Sequence, residues 1–102
     1  MKELKSIIKN IIPKELQQDE IVVNASFVLD PYRLNTILKG DGHPEEIATQ
    51  YQLDIFYDKK GELITKVKSL TLALADYAIE DFIITWESTA RKWRATTIIE
   101  KI

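Results

Sequence analysis

The chain has 102 residues, of which 45% are hydrophobic and 29% are charged, with a net charge of −2 and no cysteine. These values are typical of one globular domain, so we expect a single domain over residues 1–102. The lack of cysteine excludes disulfides, thiolate catalysis and cysteine-ligated metals, and the small negative charge disfavours a specific nucleic-acid binder, which usually carries a basic excess.

The N-terminal segment has the pattern of an amphipathic helix. Its apolar residues recur at helical spacing and share one face: Leu4, Ile7, Ile8 and Ile11. Pro13 limits the helix, because proline disfavours helical geometry in the residue before it. Charged residues interrupt the apolar run, which argues against a signal peptide, and no run in the chain reaches the ~20 apolar residues that cross a bilayer. We therefore expect a cytoplasmically made protein with no membrane partner.

Three segments with strand character follow. Residues 20–30 are rich in β-branched and aromatic residues, and Pro31 is expected to interrupt them. Residues 32–40 are ambiguous between helix and strand, but the short run at residues 35–38, followed at once by turn residues, favours a strand. Residues 47–58 form the clearest strand, with Tyr51, Leu53, Ile55 and Tyr57 on one face and Gln50, Gln52 and Asp54 on the other.

A second helix and two strands complete the chain. The helix is predicted to begin around residues 59–62, and its apolar residues again recur at helical spacing: Leu63, Val67, Leu70, Leu74 and Tyr77. Residues 81–88 and 92–102 alternate as strands, joined by a hairpin loop at residues 87–91. This order predicts an α+β fold, with a mostly antiparallel sheet of about four to five strands and both helices packed on one face.

The stretch LKGDGHPEE, residues 38–46, contains the only histidine of the chain. It lacks the spacing of a phosphate-binding loop and of a calcium loop, and no second histidine or cysteine could complete a zinc site. We therefore interpret it as a polar hairpin turn in which glycines supply left-handed backbone. Its residues are candidates for partner contact rather than catalysis: Lys39, Asp41, His43 and Glu45.

Carboxylates elsewhere in the chain have simpler interpretations. Acid–base catalysis by paired carboxylates requires an environment that raises one pKa. Asp58 is better explained as a turn or helix-capping residue, and the group at residues 76–81 as a solvated loop. We predict no catalytic, cofactor-binding or metal-binding residue and expect no cofactor.

The last hairpin carries two tryptophans, Trp86 and Trp93, which we expect to face each other across the strands. With Arg91, Lys92 and Arg94 alongside, they could form a stacking platform for nucleic-acid bases. The acidic total favours a cross-strand aromatic pair that supports the sheet.

The outer side of the second helix is more apolar than a solvated face requires, since it carries Ile64 and Leu72 among lysines and threonines. Contact with another subunit would account for this, so both residues are candidates for partner contact.

From Pro31 onward the sequence reads PYRLNTILKGDGHPEEIATQYQLDIFYDKKGELITKVKSLTLAL. A proline–aromatic opening leads into a strand and a polar turn, followed by a long alternating strand, a helix with a leucine stripe and two C-terminal strands. This arrangement resembles the tail-terminator and tail-completion proteins of long-tailed bacteriophages, including the lambda-type terminator and head-to-tail joining proteins. The resemblance covers most of the chain.

The resemblance implies a structural protein without catalysis or a cofactor. It would assemble into a homo-oligomeric ring, usually a hexamer, that joins the tail tube to the connector. Assembly would take place in the cytoplasm of a bacterial host, and the protein would then be part of the virion. The family has no catalytic motif, so no individual functional residue is carried over.

Two other classes of function stay open. A small protein-binding module, such as an inhibitor or a regulatory subunit, would be a monomer or dimer that binds one host protein. An enzyme would need a pocket between sheet and helices, with Asp54 or His43 as the acid or base.

Overall fold

A long antiparallel hairpin is the central element of the fold. The computed structural model describes the backbone of residues 2–38 and 44–101 and the side chains of residues 3–33 and 48–101. Over that backbone the chain forms, in order, α1 (Lys2–Ile11), β1 (Lys14–Glu15), β2 (Ser26–Leu38), β3 (Pro44–Tyr57), α2 (Lys60–Ala73), β4 (Tyr77–Ile79), β5 (Ile83–Glu87) and β6 (Lys92–Lys101). The predicted α+β fold with a mostly antiparallel sheet is confirmed.

The described strands make one sheet of six, in the order β1-β2-β3-β6-β4, with β5 also paired to β6. The β1–β2 pair is parallel and all other pairs are antiparallel. One side of β6 pairs with β3, so β4 and β5 share its other side and together form one outer edge of the sheet. The opposite outer edge belongs to β2, which β1 covers at Ser26 and Phe27.

Both helices pack on one face of the sheet, as predicted. The buried residues come from α1, from α2 and its C-terminal end, and from alternate positions of the long strands: Leu4, Ile8, Ile12, Phe27, Leu53, Ile55, Leu63, Leu70, Leu74, Ala95 and Ile99. The last turn of α1 is closed by the Ile12 N–H, which donates to the Ile8 carbonyl at 2.8 Å, before Pro13 ends the helix. The helical and the alternating patterns therefore identified the buried faces correctly.

The prediction for the first long strand was wrong in two respects. The strand begins at Ser26 rather than at residue 20, and it continues through Pro31 to Leu38. The pairing with β3 is irregular on either side of Arg33, directly after Pro31. Beyond Phe27 no described strand pairs with the outer edge of β2, so the missing N–H of a proline costs no ladder hydrogen bond there.

Two short strands were not predicted, which is why the expected number of strands was too low. In β1, parallel pairing with β2 is extended by the Leu16 N–H, which donates to the Phe27 carbonyl at 2.8 Å. The helix α2 ends at Ala73, and Tyr77, expected to be helical, instead begins β4. The Tyr77 N–H donates to the Leu74 carbonyl at 2.9 Å, which turns the chain out of the helix.

Asp58 lies in a turn but does not cap α2, contrary to one of the two roles proposed for it. The N-cap residue is Lys59, and it makes no side-chain capping bond. The Asp58 carboxylate instead forms an ion pair with the Lys92 ammonium at 3.0 Å, and the Asp58 backbone N–H donates a hydrogen bond to Asn24 Oδ1 at 2.9 Å. These contacts tie the loop before β2 to the β3–α2 turn and to β6.

Candidate interaction surface

The β2–β3 hairpin extends beyond the rest of the sheet. The strand β6 pairs with β3 only from Gln50 to Tyr57, whereas β2 and β3 stay paired as far as Leu38 and Pro44. We call residues 34–38 with residues 44–49 the ribbon. It contributes to the elongated shape of the protein, whose dimensions are 51 × 30 × 21 Å. No third strand pairs with the ribbon within the described backbone. The outward-facing backbone N–H and C=O groups of both ribbon strands are therefore open to a partner.

The predicted partner contacts at the turn are placed only in part. Lys39, Asp41 and His43 lie outside the described residues. Glu45 belongs to β3 and pairs with Ile37, so the strand begins nearer to the turn than the predicted residue 47. Its side chain lies outside the described part of the chain. The antiparallel hairpin itself is confirmed, and its tip stays a prediction.

Of the two contact residues predicted on α2, only Leu72 has the expected surroundings. Its side chain is 80% exposed and lines a shallow apolar groove with Val67, Lys68 and Thr71. Ile64 is half-buried and does not line this groove. Because an exposed leucine next to an apolar groove is typical of interaction surfaces, the outer side of α2 is a candidate contact region.

A second depression of about 350 Å³ adjoins this groove and runs between α2 and the outer edge of the sheet. Val67 and Thr71 border both depressions, and residues of β4, of β5 and of the segment between them complete the wall: Ile79, Glu80, Asp81, Phe82 and Ile84. We call this depression the α2–β5 groove. Its floor is apolar and its rim carries two exposed carboxylates. Sequence reasoning missed it because the position of α2 relative to β4 and β5 depends on tertiary packing.

The strand β5 forms an exposed apolar edge beside this groove. It pairs with β6 along one side, and no described strand pairs with its other side. Ile83 is 66% exposed and Trp86 is 49% exposed. Natural sheets usually protect such edges with charges, proline or a bulge, and within β5 itself only Glu87 is charged. This edge therefore has the properties of a strand-pairing site.

The sheet face opposite the helices carries Asp54, one of the two residues considered as a catalytic acid or base. The residue is only 9% exposed. Oδ1 accepts from Arg94 Nε at 2.9 Å and from the Thr96 hydroxyl at 2.6 Å, and Oδ2 accepts from the Gln52 amide at 3.1 Å. Both carboxylate oxygens are thus engaged by neighbouring side chains, and the arrangement is that of a clamp joining β3 to β6.

We expect Asp54→Ala to lower the free energy of unfolding by about 1–3 kcal/mol, because it leaves partly buried donors unpaired. Asp30→Ala is the matched control, since Asp30 is an exposed aspartate of the same sheet, and its effect should stay within about 0.5 kcal/mol. Urea unfolding of both variants measures the difference. Equal stability of Asp54→Ala and the wild type would show that the clamp contributes nothing.

The tryptophans form the predicted cross-strand pair. Trp86 and Trp93 are directly opposite in the β5–β6 register, with ring centroids 5.3 Å apart and ring planes at 66°. The Lys60 ammonium lies 5.0 Å from the Trp93 centroid. Neighbouring basic groups contact carboxylates: Lys92 contacts Asp58, and Arg94 contacts Asp54. These pairings support the structural interpretation of the aromatic pair over a base-stacking platform.

Titratable groups with shifted pKa values have local structural causes. Burial raises the pKa of the Tyr57 phenol, and the Glu62 carboxylate adds to the effect. A hydrogen bond from Lys14 lowers the pKa of Glu20.

In the part of the chain that the structure describes, no three His, Cys, Asp or Glu side chains lie close enough to hold a metal ion. Neither described helix is long and apolar enough to cross a membrane.

The sequence was also compared with known proteins. No protein-family model matches it, and no curated protein matches it either. Any functional assignment therefore depends on the geometry described above together with the resemblance of the element pattern.

Proposed function

We propose that the protein is a non-enzymatic structural protein of a long-tailed phage or prophage, a tail terminator or head-tail joining protein. It forms a homo-oligomeric ring, usually a hexamer in the family that it resembles, at the junction between tail tube and connector. Assembly takes place in the bacterial cytoplasm, and the ring then becomes part of the virion. The projecting ribbon is the observation that carries this proposal.

The ribbon supports assembly for an energetic reason. Ordering each residue costs roughly 1–2 kcal/mol of backbone entropy, and a two-stranded hairpin without packing partners is marginally stable in water. The rest of the sheet recovers this cost by burying Phe27, Leu53 and Ile55 under the helices. The ribbon extends past β6, beyond this layer, so contact with another protein surface would give it the packing that its own sheet does not supply.

The exposed side of α2 supports the same proposal. Leu72 and the adjoining apolar groove form a contiguous surface rather than a scattered apolar residue, and such surfaces mark contacts between proteins. In a ring, every subunit contributes two different surfaces, one to each neighbour. The ribbon and the α2 side lie on different parts of the molecule and provide two such surfaces.

A role without catalysis is supported by the state of Asp54. Three side chains of the sheet donate hydrogen bonds to its oxygens, so both carboxylate oxygens already have partners. His43, the other acid or base considered, lies outside the described residues. The test of an enzymatic role is an activity screen, in which loss of a detected activity in Asp54→Asn or His43→Ala would contradict the proposal.

Mass measurement tests the ring directly. We expect light scattering after size exclusion to give a single species larger than a dimer, with a mass that is a whole-number multiple of 11.8 kDa, and negative-stain electron microscopy to show rings. Purified tail tubes provide the second arm, in which the ring should bind to tube ends. A strict monomer at high concentration, with or without tubes, would refute the proposal. A monomer or dimer that binds one host protein would favour the binding-module alternative.

A further inference from the structure

The two outer edges of the sheet differ in how well they are protected against strand pairing. The β2 edge next to the core carries exposed Asp30 and also Pro31, which has no N–H to donate. Further along, residues 34–38 read Leu-Asn-Thr-Ile-Leu, with neither charge nor proline. The β5 edge is apolar and exposed at Ile83. Each end of the sheet thus has one stretch of edge suited to accept or donate a strand.

The α2–β5 groove makes the β5 edge a strand acceptor. Peptide-binding domains that add a strand use an edge for backbone hydrogen bonds and an adjoining apolar groove for alternate side chains. Here Val67 of α2 and Phe82 and Ile84 beside the edge form such a groove. An incoming strand would bond to β5 and place every second side chain against this surface.

Charge identifies which edge of the ribbon is complementary to the β5 edge. The acceptor edge has carboxylates at both ends, with Glu80 and Asp81 before β5 and Glu87 at its last residue. On the β3 side, the ribbon begins with Pro44, Glu45 and Glu46. Proline has no N–H to donate to a new strand, and the two glutamates have the same charge as the carboxylates of the β5 edge. On the β2 side it begins after Arg33, an exposed cation. The β2 edge is therefore the complementary one.

We propose that neighbouring subunits join by strand addition, with residues 33–38 of β2 in one copy pairing with β5 of the next. This rests on the proposed ring, since the occupant of the acceptor edge is a second copy of the chain. Along the sheet, β2, β3, β6 and β5 alternate in direction. A second copy in the same orientation therefore presents β2 antiparallel to β5, which brings Arg33 to the Glu87 end.

Such an interface is heterologous, because it joins two different surfaces. A heterologous interface leaves one free donor edge and one free acceptor edge on every open assembly, and only closure into a ring uses both. It also lengthens the six-stranded sheet continuously from subunit to subunit. This geometry yields the predicted ring when the rotation between neighbouring subunits closes.

Edge-specific variants test the proposal. Ile83→Lys places a charge on the acceptor edge, and Arg33→Glu reverses the charge at the donor edge. Both residues are exposed, so we expect the monomers to fold. Each variant alone should associate about tenfold more weakly or worse, since a misplaced edge charge opposes pairing. Ser6→Lys is the matched control, because Ser6 is exposed on α1, a helix that belongs to neither edge of the sheet; its ring should persist.

Mixing the two variants distinguishes this interface from others. Ile83→Lys keeps an intact donor edge and Arg33→Glu keeps an intact acceptor edge, so an equimolar mixture should form a one-to-one heterodimer in native mass spectrometry. In the wild-type ring, amide hydrogen exchange of residues 83–87 and 33–38 should be slower than in the monomer at high dilution, and that of α1 should be unchanged.

The outcomes separate this inference from the proposed function. Rings that persist unchanged in both edge variants would overturn strand addition while leaving the ring proposal intact. Loss of rings in both variants without heterodimer formation, or unchanged exchange in residues 83–87, would overturn it as well. A wild-type protein that never forms a ring would refute the proposed function, and this inference with it.

Discussion

Shortening the ribbon should abolish assembly and leave the fold intact. Leu34 pairs with Ala48, so residues 35–47 can be replaced by Asn-Gly, the dipeptide that favours a two-residue hairpin turn. The variant removes the part of the hairpin that extends past β6 and keeps every buried residue of the core. We expect its free energy of unfolding to change by no more than about 1 kcal/mol, because loop length affects stability only weakly.

Two measurements on the same sample check this result. Circular dichroism and thermal unfolding report the fold, and light scattering reports the mass, which should fall to that of the monomer. An unfolded variant would show that the ribbon is part of the folding unit, contrary to the proposal. A folded variant that still forms rings would show that the ribbon is not a subunit contact.

Leu70→Ala should be far more destabilising than Leu72→Ala, although the two residues lie on the same helix. Leu70 is completely buried in the core cluster, whereas Leu72 is 80% exposed. Truncation of a buried leucine typically costs 2–5 kcal/mol, roughly, because it loses transfer energy and leaves a cavity. An exposed substitution typically changes stability by no more than about 0.5 kcal/mol.

This matched pair separates stability from assembly. A loss of 2–5 kcal/mol is a large part of the roughly 5–15 kcal/mol that stabilises a typical domain, so Leu70→Ala should melt at least about 8 °C lower. Leu72→Ala should melt like the wild type, and Leu72→Asp should weaken ring formation without unfolding the monomer. Similar melting temperatures for Leu70→Ala and Leu72→Ala would contradict the assignment of the buried face of α2.

The candidate surface was only partly predictable from the sequence. Leu72 was identified because an apolar residue on the polar side of a helix is visible in the helical period. Ile64 was selected by the same criterion, but it is half-buried and outside the groove. The groove depends on Phe82, directly before β5, and on Ile84 within it. Their proximity to Val67 follows from how β5 pairs with β6, which no local pattern encodes.

The two helices, the strand β3 and the faces that they bury were predictable from the sequence, because periods of 3.6 and 2 follow from local backbone geometry. The remaining elements depend on contacts between distant parts of the chain. The strands β1 and β4, of two and three residues, are too short to show a period and exist through pairing with β2 and β6. Pro31 stays within a strand because it lies on an open edge. The ribbon and the β5 edge lie where strand pairing ends, and the groove lies beside that edge. The ends of pairing are set by hydrogen bonds between residues that are distant in the sequence.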